Sequence, residues 1–323
     1  CLLSRGLGDV YKRQIINRVC TLKYLLVHER NNIMNKIKNF SRLNDYFFKN
    51  LMGRDERKGL ALDFLNSIVE LEDNKYFVDL KFLNTEKTPD KIDGKLSRLD
   101  IQAQTDDGTF WDIEVQVSRE DYMPERSLFY LSRIYGNQLN SGEKYPVLKR
   151  TIGINLLNFN LDQLRTLSSW HNYCCFCVPN TNVVVTRHLE MHFLELPKIK
   201  ISDIKRLKKA EQWGAYFSGK YTDKDMEVLA MNNPVIKQAL DYEAYFNSND
   251  ELRKEYLARE EAILDERIRH GYSHQQGIVK GIEKNKIETA TNALKEGLSP
   301  ELIAKITNLS IEEVNRLRQQ LNK

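Results

Sequence analysis

The sequence predicts a mixed α/β domain in the order αβββαβ, with more strands behind it and a helical C-terminal region. Three observations predict it. Leu60, Phe64, Leu65 and Ile68 recur at helical spacing, with no proline to interrupt them. Two later segments, Leu96–Gln104 and Thr109–Val117, alternate apolar and polar residues around Asp106-Asp107-Gly108. Past about residue 200 the alternation stops, and residues of both charges crowd the stretch from Asp250 to Arg269.

Taken in order, Asn35 to about Val69 reads as helical and Tyr76–Leu83 as a strand. A polar loop around Pro89, Asp93 and Gly94 leads into the alternating pair. Glu125–Leu139 is a helix candidate that stops at Ser141-Gly142. Thr151–Phe159 and Val183–Val185 are β-rich, and His188–Leu196 alternates up to Pro197. Ile204–Phe217 and Lys224–Leu229 have helical patterns, while Gly271, Gly277 and Gly281 predict interruptions in the charged stretch. In the tail, Ser299 caps a helix opening at Pro300, with Leu302, Ile303 and Ile306 as its apolar stripe. Ser310 and Glu313 form a capping box for a last helix bearing Val314 and Leu317. Thr307-Asn308-Leu309 joins the two, giving either a helix-turn-helix that contacts DNA or a hairpin for docking or self-association.

The expected organisation is therefore 1–33, 34–200, 201–290 and 291–323. Ser4 to Gln14 reads as the translation of a sequencing adapter, so residues 1–33 are expected to be adapter-derived or upstream sequence, with Met34 as the natural start. The α/β domain fills 34–200, a charged helical region 201–290, and the small helical pair 291–323.

Composition narrows the class. The 323 residues are 41% hydrophobic and 29% charged, with a formal net charge of +4, a balance that permits nucleic-acid binding without demanding it. No apolar run approaches the ~18 residues of a membrane span, so no membrane partner is expected. Of five cysteines, Cys174, Cys175 and Cys177 are crowded beside His171, but the spacing does not suit a zinc site, and buried free thiols are expected instead. An odd count without a secretory signal points to a reducing cytoplasm. His188, Glu190 and His192 share a strand face; with nothing to complete a metal site, they read as ordinary strand polarity.

The alternating pair carries the chemistry. Asp100, Gln102 and Gln104 point away from Leu99, Ile101 and Ala103, and Asp112, Glu114 and Gln116 away from Ile113, Val115 and Val117. A three-residue turn with Gly108 in the left-handed position pairs Thr105 with Thr109 and hence Asp100 with Glu114. Directly opposed side chains have Cβ atoms roughly 4.5–5.5 Å apart, where two carboxylates repel unless a cation lies between them. A hard divalent ion, Mg²⁺ or Mn²⁺, suits such oxygen ligands. Read from periodicity alone, the same residues also fit a solvent-exposed polar sheet face.

With Asn44–Lys49, Phe64–Ile68, Lys95 through Ile101, Asp107-Gly108, Ile113–Gln116, Arg126, Tyr130, Arg133, Gly142–Tyr145, Phe193–Lys198 and Gly297–Ser299 in this order, the chain resembles the PD-(D/E)XK nuclease family transposases. The resemblance implies a restriction-endonuclease-like core and metal-dependent phosphodiester hydrolysis on DNA, in a bacterial cytoplasmic protein linked to mobile elements. It implies Asp100 as the motif aspartate, Glu114 as the second acid and Gln116 in the usual lysine place, with Asp100, Glu114 and the Val115 carbonyl as metal ligands. Glutamine orients a water but is no effective base. Lys95 is a further catalytic candidate against a phosphate, and Glu56 an extra metal ligand. Arg126, Tyr130 and Arg133, at i, i+4 and i+7, share a helix face suited to a phosphate groove with base stacking, or to the polar boundary of helix and sheet. A catalytically silent DNA-binding or assembly protein and an RNA-directed nuclease are the alternatives, and a homo-oligomer is an open option.

Overall fold

The computed structural model describes residues 40–71, 75–83, 91–92, 95–96, 101–119, 122–181, 183–200 and 203–321. The segment 1–39, with Ser4–Gln14 and Met34, and the segment 97–100, with Asp100, lie outside them. The chain divides into two units, residues 37–259 and residues 1–36 with 260–323.

The first unit is built on a mixed sheet. Its strands are β1 (Leu80–Phe82), β4 (Ile101–Thr105), β5 (Phe110–Gln116), β6 (Thr151–Leu157), β7 (His171–Cys177) and β8 (Val184–Glu195), in spatial order β1-β4-β5-β6-β8-β7. A separate ladder pairs β2 (Lys91–Ile92) with β3 (Lys95–Leu96). The strand β4 runs antiparallel to both β1 and β5, the strands β5, β6 and β8 run parallel, and β7 returns antiparallel along β8. A parallel pair needs a crossover, and α3 (Met123–Gly136) supplies it between β5 and β6. The αβββαβ order and the mixed α/β class are thus as predicted.

The predicted turn forms and sets the predicted register. Gly108 adopts φ 89°, open to a residue without Cβ, and its N–H donates to the Thr105 carbonyl at 2.8 Å. Asp107 Oδ1 accepts from the Thr109 N–H at 2.9 Å and the Thr105 hydroxyl at 2.8 Å. The ladder then pairs Gln104 with Phe110, Gln102 with Asp112 and Ile101 with Ile113.

One face of the sheet is apolar. Trp111, Ile113 and Val115 of β5 and Ile152, Ile154 and Leu156 of β6 belong to a core shared with helices on both sides of them in sequence. From upstream come α1 (Asp45–Met52) and α2 (Lys58–Ile68); from downstream come α4 (Lys209–Ser218), α5 (Asp223–Asn232) and α6 (Pro234–Ser248). Phe64 of α2 meets Trp213 of α4 edge-on at 5.8 Å. The helices α4, α5 and α6 therefore complete the core of the sheet rather than forming a layer apart.

Several local expectations need correction. The helical stretch to Val69 is two helices, with Gly53 and a short 3-10 turn, Asp55–Arg57, between them. A Cβ at Gly53 would lie 2.9 Å from the Lys49 carbonyl and 3.3 Å from Ile101, so the chain turns where only glycine fits. In Tyr76–Leu83 only Leu80–Phe82 pairs as strand, because the Asn66 side chain takes up the Phe77 N–H and C=O at 2.8 Å each. Val183–Val185 and His188–Leu196 merge into the single strand β8, and β7 and α6 were not foreseen. On β7, Cys174 and Cys177 are exposed and Cys175 is half-buried, against the expectation of buried thiols: among the described residues β7 is a sheet edge, with only β8 beside it.

In the second unit, α7 (Asp250–Lys295), which begins in the first, runs unbroken through Gly271, Gly277 and Gly281. Those exposed glycines weaken a helix by about 1 kcal/mol each without ending it. The tail matches its capping signals: Ser299 accepts from the Leu302 N–H, opening α8 (Pro300–Thr307), and Ser310 and Glu313 cap α9 (Ile311–Leu321) reciprocally. Ala290, Ile303 and Val314 close a small core there.

Candidate active site

The polar face of β5 is buried. Asp112 is 5% and Glu114 4% exposed, and Gln116 is half-buried. The solvent-exposed alternative is thereby overturned for both acids. Uncompensated burial of a carboxylate costs several kcal/mol, so such a strip persists only where the rest of the fold holds it. Gln116 Nε2 donates to Glu114 Oε2 at 3.4 Å, a long bond along the polar face of the strand. Parallel pairing with β6 sets Gly153 beside Asp112, Asn155 beside Glu114 and Leu157 beside Gln116. Across β4, Gln102 faces Asp112.

The helix α3 covers this face, running antiparallel to β6. Met123 packs with Leu157, the Ser127 hydroxyl donates to Asn155 Oδ1 at 2.9 Å, and Leu131 lies over Gly153. Farther along, the Tyr135 hydroxyl reaches Nδ1 of His188 on β8 at 3.2 Å. At 3.6 residues per turn, Arg126, Tyr130 and Arg133 then project from the opposite flank, on the side of β5 and its acids. All three are half-buried. Arg126 lies 5.9 Å from the Tyr130 ring centroid, Tyr130 meets Phe129 edge-on at 5.5 Å, and Arg133 lies 5.8 Å from Phe129. A row of guanidinium groups on aromatic faces thus borders a buried acid strip. Period-two alternation put Asp112 on this face but gave it no role, and Ser127 and Asn155 were not singled out from sequence: Asn155 joins the strip only through parallel pairing with β5.

A family model described as PD-(D/E)XK nuclease family transposase matches residues 42–271, more than half of the chain. The chain belongs to that family. No curated protein and no solved structure matches. Family membership carries the α/β fold seen here and points to nuclease-type function.

PD-(D/E)XK nucleases typically use divalent metals. The acids on β5 fit a hard cation in donor chemistry, being oxygen ligands only. Among the described residues, however, no three His, Cys, Asp or Glu side chains gather as a metal cluster. Asp100 lies outside those residues; the described ladder ends at Ile101 opposite Ile113. Lys95 pairs with Ile92 in the small ladder, not in the main sheet. Glu56 is exposed in the 3-10 turn after α1 rather than on a helix. Val115 pairs with Leu156 of β6, its side chain in the apolar core.

A second buried group, Glu190 with two histidines and two arginines, has a different character from the β5 strip. Glu190 is 2% exposed and is ion-paired to Arg150 and to Arg187, the latter at 3.1 Å. His192 Nε2 lies 3.6 Å from Glu190 Oε2, and its Nδ1 lies 2.9 Å from His171 Nε2. Burial alone would raise the Glu190 carboxyl, but His192 and the two arginines hold it at about 2. Burial, with His192 beside it, lowers His171 to about 4. The expectation of ordinary strand polarity is therefore corrected for Glu190 and His192, which form an interior network; His188 alone faces out.

Proposed function

We propose that the chain is a divalent-metal-dependent DNA endonuclease associated with mobile elements, acting by phosphodiester hydrolysis. The observation that supports this most is the buried strip of Asp112, Glu114 and Gln116 bordered by the Arg126–Tyr130–Arg133 flank of α3. In this proposal the register that pairs Ile101 with Ile113 continues to Asp100 opposite Glu114. Asp100, Glu114 and the Val115 carbonyl would then hold Mg²⁺ or Mn²⁺, with Glu56 as a further candidate ligand. Such an ion, when bound, polarises the scissile phosphate and lowers the pKa of the attacking water.

The chain's own residues do the rest. Gln116 orients the Glu114 carboxylate through its amide and presents its oxygen to the water; an amide takes no proton at neutral pH, so it positions and does not act as base. Arg126 and Arg133 neutralise backbone phosphates, and Tyr130 offers a ring to a base. Lys95 is assigned to a phosphate oxygen. The Ser127–Asn155 bond fixes the rotation of α3 on the sheet and so the aim of that flank.

Plasmid DNA incubated with Mg²⁺ and the purified protein tests this, beside Asp100→Ala and Glu114→Gln. Nicking by the parent chain alone is expected. Equal nicking by all three removes the assigned site, and nicking by none favours a silent DNA-binding protein that retains the fold. The same trio on RNA tests the RNA-directed alternative.

A further inference from the structure

Tyr122 is placed against every local preference. It is the residue before the first turn of α3, with φ 60° and ψ 28°, the left-handed region where the Cβ of an L-residue crowds the following carbonyl oxygen. Glycine or asparagine suits that backbone, and asparagine, serine or aspartate suits the N-cap position, where Tyr122 makes no side-chain cap. The residue is 77% exposed. Among the described residues no side-chain cap or ring partner holds this exposed phenol on its strained backbone, which is the pattern of a residue kept for a ligand.

Its position says which ligand. Met123, the next residue, packs on Leu157, the β6 partner of Gln116, so Tyr122 stands at the Gln116 end of the acid strip. The Tyr122 carbonyl accepts the Arg126 N–H at 2.9 Å, tying it to the turn that carries the first guanidinium of the flank. Ring, guanidinium, ring and guanidinium thus follow in order as Tyr122, Arg126, Tyr130 and Arg133. Alternating cations and aromatic faces match the alternating phosphates and bases of a strand whose bases are unstacked, because a ring stacks only on a base face that is open.

We propose that Tyr122 stacks on an unpaired base beside the scissile phosphate, so that the preferred substrate is DNA with an unpaired nucleotide, such as a single strand or a bulge, rather than continuous duplex. This rests on the nuclease reading above and specifies its substrate class.

The test uses the full chain carrying Glu114→Gln, so that DNA stays intact, alone and with Tyr122→Ala, Tyr122→Phe or Tyr122→Gly. Affinity is measured for a duplex, for that duplex with a single 2-aminopurine bulge, and for the single strand. Tyr122→Ala is expected to weaken binding to bulged and single-stranded DNA about tenfold, with duplex affinity changed by less than about twofold. The 2-aminopurine fluorescence response should vanish with Tyr122→Ala and persist with Tyr122→Phe. Tyr122→Gly should bind like Tyr122→Ala while melting at a higher temperature, which separates lost stacking from lost folding. Unchanged affinity and fluorescence in Tyr122→Ala, or equal loss on all three DNAs, overturns the proposal. Either result leaves the nuclease reading standing if Glu114→Gln abolishes nicking. Tyr122-dependent binding by a parent chain that never nicks would sink that reading, and with it the scissile phosphate, leaving Tyr122 as a stacking residue of a DNA-binding protein.

Discussion

Glu114 and Glu190 are both buried acids, two strands apart on opposite faces of one sheet, and they are buried in different company. Glu190 faces the apolar core, where Arg150, Arg187 and His192 close around it and hold it ionised. Glu114 faces α3, with amides on its own and the neighbouring strand, Gln116 and Asn155, and a helix flank of arginine and tyrosine along its border. A carboxylate whose charge is met within the strands is part of the scaffold. One placed in an oxygen-rich strip beside a row of cations and rings is suited to receive something from outside. Burial alone does not distinguish the two acids; the geometry of their neighbours does.

The largest break in the comparison should come from isosteric loss of Glu114, the acid proposed to act on DNA. Glu114→Gln is expected to lower plasmid nicking about a thousandfold, equivalent to ~4 kcal/mol of transition-state stabilisation, with the melting temperature held or raised. The reverse pattern is expected at the other acid. Glu190→Ala leaves the half-buried Arg150 without its carboxylate and should cost about 3 kcal/mol in urea unfolding, with nicking per folded molecule unchanged. If Glu190→Ala silences a folded protein, the distinction between the two acids fails.

Acidification should likewise act on the core-facing network first. His171 binds its proton at about 4 when folded, against 6.5 ordinarily, so the unfolded chain takes up that proton first as the pH falls. The stability due to neutral His171 is full above pH 6.5 and is lost between 6.5 and 4; Glu190, at about 2 against 4.5, adds a further loss below 4.5. The unfolding free energy should drop by about 2 kcal/mol from pH 7 to 4.5, and His171→Asn should flatten that slope. A slope identical in His171→Asn would remove the histidine pair as its source. The smallest effect is expected at Gln116: Gln116→Ala should slow nicking about tenfold by freeing the Glu114 carboxylate to turn, with stability unchanged.

The parts legible in sequence share a cause. The Asp-Asp-Gly turn, the alternation of β4 and β5 and the caps of α8 and α9 all rest on contacts a few residues apart, and all were found as predicted. Where the partner lies far along the chain, reading failed. The thiols of β7 look like core residues but line a sheet edge; Phe77 has strand chemistry but spends its backbone bonds on Asn66; Glu190 and His192 read as surface polarity until Arg150 and His171 meet them.

By itself, then, the sequence determined the αβββαβ order, the register that aligns β4 with β5, and the family to which the chain belongs. Tertiary structure alone decided that the acid strip is buried, that Asn155 and Ser127 join it, and that the cationic flank of α3 points to its β5 side. A turn sets register through short-range hydrogen bonds written in adjacent residues. The crossover that lays α3 over β5 and β6 depends on packing between segments dozens of residues apart, which no local pattern records.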